Sequence, residues 1–264
     1  MNPAVARREG PVERLGHRIL DVVRELGDYG LMVGDVFRAF FRRGFPARET
    51  LRQFEAVVVR SSTIVAITAL FTGMVLALQT VESLARFGAK PYTGSFVSLA
   101  FVLELGPVLT ALMVAGRVGA GITAEIGSMA VTEQVDAIRA MGADPTQKLV
   151  LPRVLAGTFG LPMLAAISNV LGMFGGLLIS RQAGIGANFY YQSIVNVVTI
   201  PNVLNGLSKT FVFGFLIASI GCHMGLRTRG GTVGVGVSTT RAVVVSSISV
   251  LVSDFFLTKL ILLF

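Results

Sequence analysis

Six charged side chains fall within stretches that are otherwise apolar: Glu104, Arg117, Glu125, Lys209, Asp254 and Lys259. A charge at hydrocarbon depth is costly, so each needs an opposite charge, a lipid headgroup or a water-filled cavity, and each is a functional candidate. Glu104 and Arg117 stand thirteen residues apart, too far for pairing along one helix, where partners lie three or four positions away. A structural ion pair with another segment and contact with a substrate are both open to them. Lys209 and Lys259 have stems long enough to carry their ammonium groups to a surface, so snorkelling stands beside substrate contact. Glu104, Arg117 and Lys209 are the candidate substrate-binding residues, with Arg117 and Lys209 as contacts for an anionic headgroup.

Covalent chemistry finds little footing. The histidines are His17 and His223, and the single cysteine, Cys222, adjoins the second of these. Neighbouring residues on a helix point in different directions, which is poor geometry for a nucleophile and its base. No HExxH, GxSxG or GxGxxG occurs, and no Gly-Lys-Ser/Thr that a P-loop requires. No catalytic or metal-ligating residues are assigned, no cofactor is expected, and the chain is not read as an enzyme.

The elements that carry these charges are membrane spans. Of 264 residues 53% are hydrophobic and 14% charged, well below the quarter or so usual in soluble domains. Mean hydropathy is +0.72. Segments 61–81 and 154–180 contain no formal charge, and uncharged apolar runs of more than about 18 residues read as spans. Five are expected, at about 61–81, 95–129, 154–180, 203–226 and 242–264. The net charge of +8 flanks these runs instead of forming a basic domain, which excludes nucleic-acid binding as the simple reading.

Ahead of the first span, residues 1–55 read as two amphipathic interfacial helices. One carries Val12, Leu15, Ile19, Val22, Val23 and Leu26 and ends at a Gly27 C-cap; the other carries Tyr29, Met32, Val33, Val36, Phe37, Phe40 and Phe41, with Arg38, Arg42 and Arg43 near its end. A small soluble hairpin is the alternative. No apolar core of a cleavable signal peptide is visible there. Arg139, Lys148, Arg153, Arg227, Arg229 and Arg241 fall in the expected loops 132–153 and 227–241, whereas loops 82–94 and 181–202 carry Arg86, Lys90 and Arg181. The positive-inside rule then places the N-terminus in the cytoplasm and the C-terminus outside. Segment 184–201, uncharged but polar, reads as an outer-face interfacial helix or a re-entrant piece. The spacings Gly172–Gly176 and Gly221–Gly225 read as close helix packing.

Between the second and third expected spans lies VTEQVDAIRAMGADP, residues 131–145. Thr132 suits an N-cap, Val135, Ile138 and Met141 share a face, and Gly142 suits the C-cap ahead of Asp144-Pro145. This is a short cytoplasmic helix that either rests on the membrane or docks into a groove of a soluble partner.

The stretch from Glu104 to Pro145, ELGPVLTALMVAGRVGAGITAEIGSMAVTEQVDAIRAMGADP, resembles the signature of the MlaE (YrbE) permeases of MCE-type ABC transporters, and residues 230–260 resemble that family's closing region. The similarity covers roughly residues 50–264. It implies an all-α membrane protein with an N-terminal interfacial amphipathic helix, five transmembrane helices and a cytoplasmic coupling helix, divided as 1–55 and a permease domain 56–264. It further implies coupling to an ATPase through about 132–142, by Glu133, Gln134, Asp136, Ile138, Arg139 and Met141. The implied partners are a second copy of the chain, an MlaF-like ATPase that binds the ATP, an MlaD-like MCE protein and an MlaB-like STAS protein. The implied substrate is phospholipid, moved between inner and outer membranes to maintain outer-membrane asymmetry, and the implied location is the bacterial inner membrane. A self-sufficient secondary transporter is the competing reading, but no internal repeat supports it.

Overall fold

The computed structural model describes residues 11–41 and 46–263; the side chains at 11–19, 21 and 22 lie outside that description. Arg42, Arg43, the side chain of His17 and the early stripe residues Val12, Leu15, Ile19 and Val22 therefore carry no structural account. Among the described residues there is no strand, and eight helices follow one another: α1 (Pro11–Phe41), α2 (Ala47–Ala85), α3 (Lys90–Val131), α4 (Gln134–Ala140), α5 (Thr146–Gln182), α6 (Ala187–Val197), α7 (Ile200–Leu226) and α8 (Gly231–Ile261). Five of these, α2, α3, α5, α7 and α8, are long and apolar enough to cross a membrane. The fold class read from sequence is the one observed: a multi-pass all-α membrane protein.

Three boundaries differ from expectation. The amino-terminal region is one helix, not two, because α1 runs through Gly27 without a break. Among the described residues nothing lies within 4 Å of where a Cβ on Gly27 would stand, so that glycine serves neither as a stop nor as a crossing point. The expected loop 227–241 shrinks to four residues, since Gly230 and Gly231 adopt left-handed backbone (φ +86° and +65°) and turn the chain straight into α8. Arg241 is consequently helical. Lys148 and Arg153 are helical too, because α5 starts eight residues before the apolar run: the Asp144 carboxylate accepts from the Thr146 amide at 2.9 Å, and Pro145 holds the cap position between them.

Glycine decides how closely the spans approach. α2 crosses α5 where Gly73 faces the Gly172 backbone, and α5 crosses α7 where Gly157 faces Gly214; a Cβ at either crossing would strike backbone. Gly172 also lies under the Phe101 ring, Gly176 under Tyr190, Gly221 beside Gly119 and Gly225 beside Ile126. Both spacings noted in the sequence are thus used for packing inside the chain. Around these crossings one apolar core gathers Val57, Ala111, Leu161, Phe213 and Val250, and a second gathers Met32, Val36, Ile126, Val154 and Cys222.

The second core includes α1, and polar contacts reinforce it. Tyr29 shares a 2.7 Å hydrogen bond with Ser219, and Asp28 pairs with Arg227. Burial pushes the Tyr29 phenol above its ordinary range, so it stays protonated at neutral pH. At the other end of the bundle α6 is anchored by Tyr190, which is 1% exposed and donates to the Met173 carbonyl at 3.0 Å. Segment 184–201 therefore holds a packed helix.

Candidate functional site

Two prolines and two irregular turns shape α3. Pro107 has no N–H, so the Leu103 carbonyl loses its usual partner four residues on. The helix responds with a π-type turn over Phe101–Leu105, where the Gly106 amide reaches back five residues to the Phe101 carbonyl. A second π-type turn spans Ala115–Gly119, with the Ala120 amide on the Ala115 carbonyl. Glu104 sits in the first and Arg117 in the second.

The first turn surrounds a buried cation. Lys209 on α7 is 4% exposed, and its ammonium donates to Glu104 Oε1 at 2.7 Å, to Thr258 Oγ1 on α8 at 2.7 Å and to the freed Leu103 carbonyl at 3.2 Å. Asp254 Oδ1 stands 3.3 Å away as a second counter-ion, and Thr258 donates onward to Glu104 at 3.2 Å. A lysine has three N–H donors, and all three are engaged here. Lys209 therefore does not snorkel; it staples α3, α7 and α8 at one depth. Two carboxylates against one ammonium leave the group with a formal charge of −1, and the exposure lies on Glu104, whose side chain is 40% accessible. Lys259, by contrast, lies exposed in the last turn of α8.

The second turn is open. Arg117 is exposed and forms no ion pair among the described residues. It borders a cavity of about 510 Å³ between α2 and α3, whose wall also carries Arg52, Arg60, Glu49 and Glu125. Thirteen residues of helix rise about 20 Å, so the structure does not bring Arg117 together with Glu104 and Lys209. Glu125 leaves this cavity toward Arg153, 2.9 Å away on α5. Arg153, expected in a loop, is 3% exposed and also donates to its own Leu149 carbonyl at 2.7 Å. That pair ties α3 to α5 next to the segment that joins them.

The joining segment is α4. Thr132 is not its cap: the Thr132 hydroxyl donates to the Ser128 carbonyl at 2.8 Å and so closes α3. The residue at the turn is Glu133, the one non-glycine with a left-handed backbone (φ +60°) among those described, a conformation that costs on the order of 1 kcal/mol. The C-cap is as expected. Gly142 (φ +74°) bonds the Arg139 carbonyl and Ala143 bonds the Ile138 carbonyl, the reciprocal pair of a Schellman motif. Val135 is buried and Ile138 half-buried, whereas Glu133, Gln134, Asp136, Arg139 and Met141 face outward. Asp136 and Arg139 pair with each other at 2.9 Å, and Met141 is 73% exposed.

Sequence reasoning missed the pairing. Asp254 carried a visible signal as a charge in an apolar run, and Arg153 lay just outside one. Thr258 carried none, since a single hydroxyl in a span is unremarkable.

Comparison with known proteins is consistent along the chain. The family model described as Permease MlaE matches residues 50–260. A probable ABC transporter permease protein of Synechocystis is 43% identical over 230 residues, covering 87% of this chain and 88% of that protein. The chloroplastic protein TRIGALACTOSYLDIACYLGLYCEROL 1 of Arabidopsis thaliana is 36% identical over 230 residues, 87% of this chain and 66% of that protein. The intermembrane phospholipid transport system permease protein MlaE of Haemophilus influenzae is 34% identical over 253 residues, 94% of this chain and 96% of that protein.

Proposed function

Because this chain belongs to the MlaE permease family, we propose that it is the membrane-spanning permease of an ABC transporter that moves phospholipid between inner and outer membranes. The observation that carries the reading is the Glu104–Lys209–Asp254–Thr258 group, a cation held by two carboxylates at the meeting of three spans. A group of that kind in a membrane protein marks a substrate path or a moving contact. ATP hydrolysis belongs to a separate ATPase chain in this proposal, and the permease works as a pair of identical copies in the inner membrane, N-terminus inside and C-terminus outside. An MCE-domain protein receives the lipid on the outer side, and a STAS-domain protein on the ATPase is a further expected partner.

The geometry suggests how the parts divide the work. α4 presents Asp136, Arg139 and Met141 outward on a short helix capped at its far end, a shape suited to a groove in the ATPase. Val135 and the Glu125–Arg153 pair make α4 move with α3 and α5. A push on α4 is thereby delivered to α3, which carries Glu104, and to α5, which crosses the helix of Lys209 at Gly157 and Gly214. A headgroup phosphate arriving at half-exposed Glu104 competes for Lys209, and Asp254 keeps the lysine paired during the exchange. Two copies facing each other complete an apolar cavity for the acyl chains from α2, α3 and α8, whose exposed faces include Phe71, Val75, Phe255 and Phe256.

The test is reconstitution of the chain with its ATPase and MCE partners in vesicles, with fluorescent phospholipid transfer followed on ATP addition. The expected result is ATP-dependent transfer lost in Asp136→Lys, with the ATPase no longer co-purifying. Transfer by the chain alone, without nucleotide, would instead establish a secondary transporter.

A further inference from the structure

A second site lies on α1, away from the lysine group. A cavity of about 320 Å³ separates α1 from α8, and α7 forms its floor. Its wall combines Glu25, Leu26 and Tyr29 of α1 with His223 and Met224 of α7 and Arg241 of α8. The histidine is 5% exposed, yet among the described residues its Nε2 has no hydrogen-bond partner. Buried polar atoms are almost always satisfied, so an orphan at a cavity wall indicates that something polar normally fills the space. The ring is held in place: Tyr29 meets it edge-on at 5.5 Å and 85°, and Tyr29 is itself fixed by Ser219. The Asp28–Arg227 pair closes the neighbouring side.

The chemistry of the wall specifies the occupant. Arg241 offers a planar fork suited to phosphate, and His223 Nε2–H adds a donor. Glu25 offers a carboxylate on the same wall, matched to a cation a few ångströms from that phosphate. Leu26 and Met224 supply apolar surface for the glycerol end of a chain. We propose that this cavity binds the phosphoethanolamine headgroup of a zwitterionic glycerophospholipid as a resident lipid that joins α1 to α8. The site does not depend on the transport reading, since neither Lys209 nor α4 takes part.

The chain has no tryptophan, so Met224→Trp places a single fluorophore at the cavity. In phosphatidylcholine nanodiscs doped with brominated phosphatidylethanolamine, resident binding quenches this fluorophore at a mole fraction at least tenfold lower than random annular contact requires. Adding Arg241→Gln, which changes an exposed side chain, or His223→Leu raises the half-quenching fraction at least fivefold. Glu25→Gln abolishes the preference for brominated phosphatidylethanolamine over brominated phosphatidylglycerol. If Met224→Trp does not fold, Leu26→Trp, at a residue 64% exposed on the facing wall, reports the same quenching. Quenching that only tracks bulk mole fraction, unchanged by the variants, overturns the proposal. A fluorescence change produced by millimolar inorganic phosphate alone in detergent assigns the site to a free anion and overturns the lipid source. Complete protection from quenching, with cross-linking between copies through this face, means that protein covers the cavity and likewise overturns it.

Discussion

The two π-type turns of α3 pose the same problem and answer it oppositely. Each widens the helix by one residue and brings a charged side chain to the surface of a span. At Phe101–Leu105 the charge, Glu104, is met by Lys209 and Thr258, with Asp254 sharing the lysine. At Ala115–Gly119 the charge, Arg117, is left facing a cavity rimmed by other arginines and acids. The difference follows from what the neighbouring helices bring. α7 and α8 deliver a cation and a hydroxyl to the first turn. At the second turn Gly119 packs toward Ile217 on one side, and the other side is left to the cavity. One turn is a closed joint between three helices, and the other is an open polar surface. Stability should therefore concentrate at the first turn and leave the second almost untouched, which is testable residue by residue.

The largest expected effect comes from Lys209→Met. It leaves Glu104 and Asp254 facing each other without a cation, and breaking a buried pair by removing one partner costs about 3–5 kcal/mol. Thermal unfolding of the purified chain in mild detergent should show a large fall in midpoint, partly recovered by adding Glu104→Gln, which removes the excess negative charge. If the double variant is no more stable than the single, the carboxylates are not what the lysine neutralises. Glu104→Gln alone should cost less, about 1–2 kcal/mol, because Asp254 still pairs with Lys209 and the amide oxygen still accepts from it. Thr258→Val keeps the shape but removes one acceptor from Lys209 and one donor to Glu104, so a loss of about 1 kcal/mol is expected in the same assay.

Much of this arrangement was legible in the sequence, and the reasons for the gaps are physical. Long apolar runs gave the five spans, and Gly142 with Asp144-Pro145 gave the end of α4. Polarity alone overstates the loops, because Lys148, Arg153 and Arg241 sit on helices that extend past their apolar runs. Glu104, Lys209 and Asp254 each stood out as a charge in an apolar setting, but which charges meet depends on helix crossings. The crossing of α3 and α7 is set by Gly206 against the Val102 backbone, and glycine spacing carries no register information between distant segments. Gly27 misled for the opposite reason, since a glycine in a long amphipathic helix is tolerated for about 1 kcal/mol when tertiary packing holds the flanks.

Arg117→Gln is the smallest effect on stability and the sharpest discriminator between the two turns. Arg117 is exposed and has no ion pair among the described residues, so the unfolding midpoint should move by no more than about 0.5 kcal/mol equivalent, as for surface substitutions in general. The same substitution lowers the positive charge of the cavity that Arg52 and Arg60 share, and it does so beside the Glu125–Arg153 pair. If the open turn handles lipid headgroups, ATP-driven phospholipid transfer should fall several-fold while the midpoint stays fixed, the reverse of the pattern expected at Thr258. A midpoint drop as large as that of Glu104→Gln would mean that Arg117 is a structural partner after all, and the contrast between a closed and an open turn would fail. Unchanged transfer with an unchanged midpoint would leave the closed turn as the one functional irregularity in α3.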